Sequence, residues 1–225
     1  CPFCKNCSMV QAPDVLDTWF SSALWPFAGL SAADRKKFYP SSVLVTARDI
    51  LNLWVARMIY SGMECIGKPP FHTALIHGTV LTKDGKRMSK SLGTGIDPLT
   101  IISAHGADAL RFAVIWQSMG QQDIRWADEA VIAGKKFSNK MWNAARFVRI
   151  RHTASPMKKK TLVKNAQDFI KTDAHAKKAW EEFVAMRKLF ESDVKTYQLG
   201  HALHRIYEFF WHTFCDRIIE EFKAI

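Results

Sequence analysis

Apolar and polar positions follow two different periods along this chain. Val43 to Thr46 form a short run typical of a buried strand, and from about Ile50 to Gly62 apolar side chains recur at intervals of three and four. Phe71 to Leu81 form a second strand-like run. A strand, a helix and a strand within about forty residues predict a βαβ unit, with parallel strands and a right-handed crossover.

From residue 98 onward the pattern predicts helices. Pro98 to Ala104 and Ala107 to about Ser118 form short helices separated by Gly106. Longer segments with apolar residues at every third or fourth position span Asp128 to about Arg151, Asp173 to Lys195, and Leu199 to Phe222. The predicted fold class is α/β followed by all-α, with a helical bundle and a domain boundary near residue 125.

Residues 11 to 27 combine polar interruptions with many aromatic side chains. They are too irregular for a plain strand and predict a connector that is pinned to the core by Trp19, Phe20, Trp25 and Phe27. A second interpretation stands beside it. Asp14, Asp17 and Ser21 then form the polar edge of a small-molecule pocket, because such pockets combine apolar walls with a few polar groups.

Composition narrows the class of protein. Lys and Arg number 32 against 21 Asp and Glu, a formal charge of +11, which favours a polyanionic partner over the alternative of a solvated basic surface. The 48% hydrophobic content suffices to bury a core of one or two domains. No apolar run is long enough to cross a bilayer, and no signal peptide is evident.

The five cysteines are unevenly placed. Cys1 and Cys4 have the spacing of half a zinc ribbon, with Cys7 as an alternative third ligand. Structural zinc takes four ligands, so we expect a second cysteine pair upstream and the chain to be a fragment of a longer protein. Cys65 and Cys215 lie in apolar surroundings and are predicted to be small core residues.

The strongest candidate chemistry lies in the cationic loop, Lys83 to Pro98. Its cations and glycines are suited to gripping phosphates, since glycine frees backbone N–H groups to converge on an anion. The strand ending at Leu81 leads into the loop, and Asp97 is the predicted N-cap of the helix that leads out. This is the end of a strand at which α/β sheets usually bind ligands.

Asp49 follows the first predicted strand closely. In a parallel sheet its carboxylate would lie near the loop that follows the second strand, where it could contact a ligand. The alternative is that Asp49 caps the next helix.

Several segments resemble one enzyme family. Arg87 to Ser91 resembles the Lys-Met-Ser-Lys-Ser signature of class I aminoacyl-tRNA synthetases, with Arg87 at the first lysine position. Further segments are similar to the valine-specific branch of that family, namely Asp14 to Phe27, Trp54 to Met58, Gly106 to Phe112, Asn139 to Val148 and Tyr207 to Asp216. The resemblance spans the chain from the cysteines nearly to the C-terminus.

The resemblance implies a domain plan. Residues 1–12 would be a remnant of a zinc-ribbon-like insertion. Residues 13–125 would be the second half of a class I Rossmann-like nucleotide-binding domain, and residues 126–225 a helical anticodon-binding domain.

The resemblance also implies a reaction and its participants. Valine and ATP, with Mg²⁺, would give an adenylate and pyrophosphate, and the aminoacyl group would pass to the tRNA. Lys90 and Arg87 would be catalytic through the phosphates, and the remaining implied ATP contacts are Met88, Ser89, Ser91, His77 and Gly78. Zn²⁺ is a further cofactor expected for the longer protein, which the resemblance implies to be a cytoplasmic monomer.

For valine, the resemblance implies that Trp19 and Ile50 wall the side chain and that Asp49 meets the ammonium group. Here Ala47 and Arg48 stand where the family more often has a glycine and an aromatic residue.

For tRNA, the implied contacts are Lys140, Trp142, Arg146 and Arg149. Ordinary solvation is the alternative for these cations, and core packing is the alternative for the indole.

A histidine signature of the His-x-Gly-His type, which would complete the adenylation site, is absent from the sequence. We therefore expect the 225-residue chain to be inactive alone. Two other interpretations stand, an isoleucine-specific member of the family and a non-catalytic tRNA-binding module.

Overall fold

The computed structural model describes residues 5, 10–89, 91–120, 122–154 and 168–224. The chain forms two compact units, Cys1–His77 and Gly78–Ile225. The first unit contains α1 (Thr18–Ala28), α2 (Ala32–Phe38), β1 (Ser41–Ala47), α3 (Ala56–Ile66) and β2 (Phe71–His77).

The predicted βαβ unit is confirmed in the first unit. β1 and β2 pair in parallel, with Ser41 opposite Phe71 and Ala47 opposite His77, so both strands end at the same edge. The crossover begins with a 3₁₀ turn, Arg48–Ile50, and a π-helical turn, Leu51–Val55, before α3. α3 contributes the fully buried Met58.

The prediction of an irregular connector at residues 11–27 is wrong from Thr18 onward, where α1 begins. Pro26 lies inside this helix and has no N–H to donate to the carbonyl of Ser22, four residues earlier. The indole Nε1 of Trp54 donates to that carbonyl instead, at 3.1 Å. A contact over a long sequence separation therefore supports a helix that local pattern disfavours.

The aromatic residues that were predicted to anchor this segment to the core differ in burial. Phe27 is buried, whereas Phe20 and Trp25 are 49% and 67% exposed, so their assignment to the core is wrong. α2 was not predicted, although a local signal precedes it. Ser31 accepts from the Asp34 backbone N–H at 3.1 Å and donates to the Asp34 carboxylate at 2.8 Å, which is a compact N-terminal cap.

The second unit is mostly helical. It contains β3 (Val80–Leu81), α4 (Pro98–His105), α5 (Ala107–Gln117), β4 (Ile124–Arg125), α6 (Asp128–Ala154), α7 (Ala174–Lys195) and α8 (Leu199–Glu208). α8 continues as π-helical turns, Phe209–Ile218, and a final turn of α-helix, Ile219–Glu221. These helices begin and end within a few residues of the predicted limits.

The strand predicted from Phe71 to Leu81 is in fact interrupted. β2 ends at His77, and β3 pairs in parallel with β4, which the sequence did not predict, so that Val80 lies opposite Ile124. Gly78 marks the interruption, because a Cβ there would lie 2.0 Å from the carbonyl oxygen of Gln122. The chain can pass this close to a neighbouring backbone only at a glycine.

The core of the second unit lies where α5 crosses the start of α6. Its buried members are Ala109, Ala113, Trp126, Ala130 and Val131. The two helices approach closely at Gly134, where a Cβ would be 2.8 Å from the carbonyl oxygen of Ala109. Aromatic rings extend this core toward α8, with the ring centroids of Phe137 and Tyr207 5.4 Å apart.

Candidate functional site

The cationic loop begins with a closed turn, which we call the entry turn, from Thr82 to Arg87. The Thr82 N–H donates to the Lys86 carbonyl at 2.8 Å, and the Lys86 N–H donates to the Thr82 hydroxyl at 3.0 Å. Gly85 turns the chain with a φ of 77°. An antiparallel bridge pairs Leu81 with Arg87, so the first signature residue lies opposite the end of β3.

An ion pair joins the entry turn to the start of α6. Lys83 Nζ lies 2.6 Å from Asp128 Oδ2, and the Trp126 indole donates to Asp128 Oδ1 at 2.8 Å. The Lys83 ammonium, followed by the indole, lowers the pKa of the Asp128 carboxyl. The same hydrogen bond raises the pKa of Lys83. The ion pair is therefore present above the ordinary titration range of Asp and is lost as pH falls through the lowered pKa.

The signature residues form the middle of the loop. Met88 packs its side chain against the core cluster that contains Trp126, while Arg87 is exposed. The Ser89 N–H donates to the Thr94 hydroxyl at 2.9 Å, and the Thr94 N–H donates to the Ser89 carbonyl at 3.1 Å. The hydroxyl oxygens of Ser89 and Ser91 are 2.8 Å apart. Ser89 and Thr94 thus close this part of the loop, and the two predicted phosphate contacts Ser89 and Ser91 lie together.

The cationic loop also contains Thr94 and Lys90. Thr94 was missed by sequence reasoning, although a hydroxyl between Gly93 and Gly95 was an available signal for a loop closure. Lys90, the residue with the strongest predicted role, lies outside the described residues. Its role stays a prediction from the signature.

The predicted exit from the loop is confirmed. Asp97 caps α4 by accepting from the Leu99 N–H at 3.0 Å and from the Thr100 hydroxyl at 3.0 Å. These two donors lower the pKa of the Asp97 carboxyl. The cationic loop is therefore held at one end by β3 and at the other by the start of α4.

His77 and Gly78 fall on different units. His77 is the last residue of β2 and is exposed, whereas Gly78 is buried at the start of the second unit. Next to Gly78, the Thr79 N–H donates to the Asp123 carboxylate at 2.8 Å. The predicted ATP contacts of His77 and Gly78 remain predictions.

The three predicted valine contacts lie in the first unit. Trp19 is half-buried on α1 and lines a cavity of about 420 Å³ with Asp17 and Arg57, whose guanidinium carbon is 5.8 Å from the centroid of the indole ring. Asp49 and Ile50 lie in the 3₁₀ turn after β1, and they are not among the described residues that line this cavity. The structure therefore does not gather the three into one cavity of the described part.

The alternative role of Asp49 as a helix cap is wrong. Ala47 is the N-cap residue of the 3₁₀ turn and Val55 that of α3, while Asp49 lies inside the turn and is exposed. A residue that sequence reasoning did not single out lies close by. The buried hydroxyl of Thr46, on β1, has no hydrogen-bond partner within the described part of the chain.

The four predicted tRNA contacts differ in their surroundings. Lys140 Nζ is 2.7 Å from the Asp216 carboxylate and 4.0 Å from the centroid of the Trp211 ring. Trp142 is 74% exposed, so core packing is wrong for this side chain. Arg146 and Arg149 are also exposed. Trp142, Arg146 and Arg149 lie at i, i+4 and i+7 and share one face of α6, which we call the α6 stripe.

Cys1, Cys4 and Cys7 lie outside the described residues. Among the residues that the structure does describe, no group of three or more His, Cys, Asp or Glu side chains is arranged to hold a metal ion. Cys215 is buried as predicted, whereas Cys65 is exposed, so its assignment to the core is wrong. The described helices include none with the length and apolar character needed to span a membrane.

A family model for class I tRNA synthetases (I, L, M and V) matches residues 3–127, which include both strand pairs and the whole cationic loop. This chain belongs to the class I tRNA synthetases. The resemblance found in the signature residues is thereby confirmed.

Relatives of this class I synthetase chain agree on a branch. Valine–tRNA ligases are 42% identical in Clostridium tetani and 43% identical in Clostridium perfringens, each over the whole of this chain and 25% of the relative. The valine–tRNA ligase of Carboxydothermus hydrogenoformans is 42% identical over 98% of this chain and 25% of its own length. The chain thus spans about a quarter of the curated relatives it matches, and the resemblance to the valine branch is confirmed.

Solved structures agree on the class I synthetase fold. The LeuRS of Agrobacterium radiobacter, in a ternary complex with tRNA and LeuAMS, is 17% identical with a TM-score of 0.67 and covers 90% of this chain and 27% of its own. The methionyl-tRNA synthetase of Mycobacterium tuberculosis, bound by methionyl-adenylate, is 18% identical with a TM-score of 0.56. The match covers 80% of this chain and 35% of the methionyl-tRNA synthetase chain. At these identities the likeness concerns the fold.

Proposed function

We propose that this chain is part of a valine–tRNA ligase and supplies the ATP-phosphate loop and one side of the valine site. The reaction joins the valine carboxylate to the α-phosphorus of ATP, expels pyrophosphate, and then transfers the aminoacyl group to the 3′-terminal adenosine of tRNA. The observation that supports this most strongly is the signature at Arg87 to Ser91 within a chain 42–43% identical to valine–tRNA ligases.

The loop acts by electrostatic stabilisation. Negative charge moves onto the pyrophosphate as the carboxylate attacks, and fixed cations stabilise this change without a protein nucleophile. Lys90 and Arg87 supply the cations, and Ser89 and Ser91, whose hydroxyls are 2.8 Å apart, supply donors to phosphate oxygens. Met88, His77 and Gly78 contact the remainder of the nucleotide. Mg²⁺, when bound to the ATP, would neutralise part of the phosphate charge.

Trp19, Ile50 and Asp49 are proposed to bind valine. Trp19 and Ile50 would contact the apolar side chain of valine, and the Asp49 carboxylate would bind the ammonium group of valine. Trp19 already lines a cavity on the first unit, and Asp49 is exposed after β1. Ligands of parallel α/β sheets bind beyond the carboxyl ends of the strands, and that is where Asp49 lies.

The helices from residue 126 onward are proposed to form the anticodon-binding domain, with residues 13–125 as the second half of the catalytic domain and 1–12 as part of a zinc-binding insertion. Cys1 and Cys4 would supply half of a Zn²⁺ site in the longer protein. The assembled enzyme is proposed to be a cytoplasmic monomer.

For tRNA, the structure favours the α6 stripe over Lys140. Arg146 and Arg149 are exposed on the same face as Trp142, whereas Lys140 is held by Asp216 and by the Trp211 ring. An exposed indole beside two guanidinium groups suits a stacked base next to phosphates.

Replacing both Arg146 and Arg149 by glutamine is expected to weaken tRNA binding and flatten its salt dependence. Each lost phosphate contact reduces the slope of log K against log[salt] by about 0.7 to 0.9, so the double variant loses about 1.4 to 1.8. Filter binding of tRNA to the purified chain over a salt series measures this. Trp142→Ala should lower affinity with little change in slope, because stacking involves no counterion release.

The matched control replaces Lys177 and Lys188, two exposed cations on α7, by glutamine. The control should retain the native slope. An equal loss of slope in both double variants would indicate general charge attraction and would refute the α6 stripe as the binding face.

Charging of tRNA tests the proposed function. The longest natural protein that contains this chain is expected to attach valine to tRNA, with kcat/KM for valine at least about tenfold above that for isoleucine. Preferential charging with isoleucine would support the isoleucine-specific alternative. Binding of tRNA without charging by any amino acid would support a non-catalytic module, and either result would overturn the proposal.

A further inference from the structure

The entry turn fixes the backbone of Arg87 from several sides. Its internal hydrogen bonds close the turn, and the bridge from Leu81 to Arg87 joins its two arms. The guanidinium of Arg125, on β4, lies against the tip, because a Cβ on Gly85 would be 3.2 Å from its Nε. Just after the turn, Met88 packs against the core cluster.

The carboxylate of Asp128 connects this turn to the core. One oxygen accepts from the indole of Trp126, a residue only 5% exposed, and the other contacts the Lys83 ammonium at 2.6 Å. Asp128 is the first residue of α6, and the same first turn carries the buried Ala130 and Val131. A charged hydrogen bond from a rigid helix therefore reaches a loop that is otherwise exposed at Lys83, Asp84 and Lys86.

We propose that Asp128 is a positioning residue for the cationic loop: by holding Lys83, it fixes the entry turn and thereby the place of Arg87 relative to the ATP phosphates. This inference rests on the proposed function, because it assigns Arg87 to the phosphates. Asp128 touches no substrate. Its effect passes through Lys83 and the turn, so it acts on the step in which phosphate charge develops.

Two variants separate this role from a structural one. Asp128→Asn removes the charge but keeps an oxygen that can accept from Trp126, and Lys83→Met removes the ammonium and leaves Asp128 in place. Because both side chains are more than half exposed, each single variant should lower kcat/KM for ATP by about two- to fivefold in ATP–pyrophosphate exchange. KM for valine should stay within about twofold of native.

The double variant carries the sharper expectation. If the two side chains act through one contact, Asp128→Asn combined with Lys83→Met should lose no more kcat/KM for ATP than either single variant. The matched control is Asp108→Asn, which breaks another exposed ion pair, with Arg111, on α5. The control should keep the native kinetic constants.

The test uses the longest natural protein that contains this chain and adds limited trypsin digestion, with cleavage after Arg87 and Lys90 followed by mass spectrometry. Faster cleavage at these bonds in Asp128→Asn, with the kinetic pattern above, supports the proposal. Native kcat/KM for ATP in both single variants, or multiplied losses in the double variant, overturns it. If the native protein has no exchange activity, the proposed function fails, and cleavage then tests only whether the ion pair holds the entry turn: faster cleavage in Asp128→Asn supports that contact, and an unchanged rate refutes it.

Discussion

Replacing Lys90 by glutamine is expected to lower kcat of valine-dependent ATP–pyrophosphate exchange by about 100-fold or more in the longest natural protein that contains this chain. Lys90 is the second lysine of the signature, and its ammonium is the cation that we assign to the departing pyrophosphate. Removing a preorganised donor that acts on developing charge typically costs about 10²- to 10³-fold in kcat. Binding of valine should be unaffected, because the residues assigned to valine lie elsewhere in the chain.

Lys86→Gln is the matched control for Lys90→Gln. Lys86 is an exposed cation of the same loop, four residues earlier, and its backbone rather than its side chain closes the entry turn. The control should change kcat by less than about threefold, in line with other exposed substitutions. Similar losses in the two variants would mean that the loop acts through total charge, and a native kcat in Lys90→Gln would remove Lys90 from the mechanism.

Replacing Gly78 by alanine is expected to lower the free energy of unfolding by about 1–3 kcal/mol or more, since about 1–3 kcal/mol is the usual cost of overpacking. The new Cβ would lie 2.0 Å from the carbonyl oxygen of Gln122 and 3.2 Å from the Cα of Asp123. Both are backbone atoms, and they cannot retreat without losing the hydrogen bonds from Thr79 to Asp123 and from Ile124 to Thr79, each 2.8 Å. These bonds begin the pairing of β3 with β4.

Chemical denaturation measures this loss of stability. The rate of ATP–pyrophosphate exchange should fall with it, because β3 leads directly into the entry turn. Gly95→Ala is the matched control, since among the described residues, apart from its two chain neighbours, no heavy atom lies within 4 Å of the added Cβ. The control should change stability by less than about 0.5 kcal/mol. Equal stability of Gly78→Ala and the native protein would mean that the chain can separate from Gln122 at no cost.

The features predicted correctly from the sequence have local causes. Asp97 and Pro98 predict the start of α4, because Asp97 can cap the helix with its side chain and Pro98 has a fixed φ. The cap is present in the structure. The long helices of the second unit follow from apolar spacing, and the parallel pairing of β1 with β2 follows from the strand, helix, strand order. Each of these signals is contained in a short window of sequence.

The features missed depend on distant contacts. α1 survives its internal proline because Trp54, 32 residues away, hydrogen-bonds to the carbonyl of Ser22. β3 pairs with a strand 44 residues further along, and the ion pair of Lys140 with Asp216 spans 76 residues. The pattern of the sequence does not reveal such distant partners. The contact of Lys140 with Asp216 is created only by the fold, and it disfavours Lys140 as a tRNA contact.

Valine-dependent ATP–pyrophosphate exchange by the longest natural protein that contains this chain is the most direct test of the central claim. We expect exchange that requires an amino acid, with kcat/KM for valine at least about tenfold above that for isoleucine, whose additional methylene the pocket must exclude. Exchange that is absent with valine, or faster with isoleucine, would contradict it.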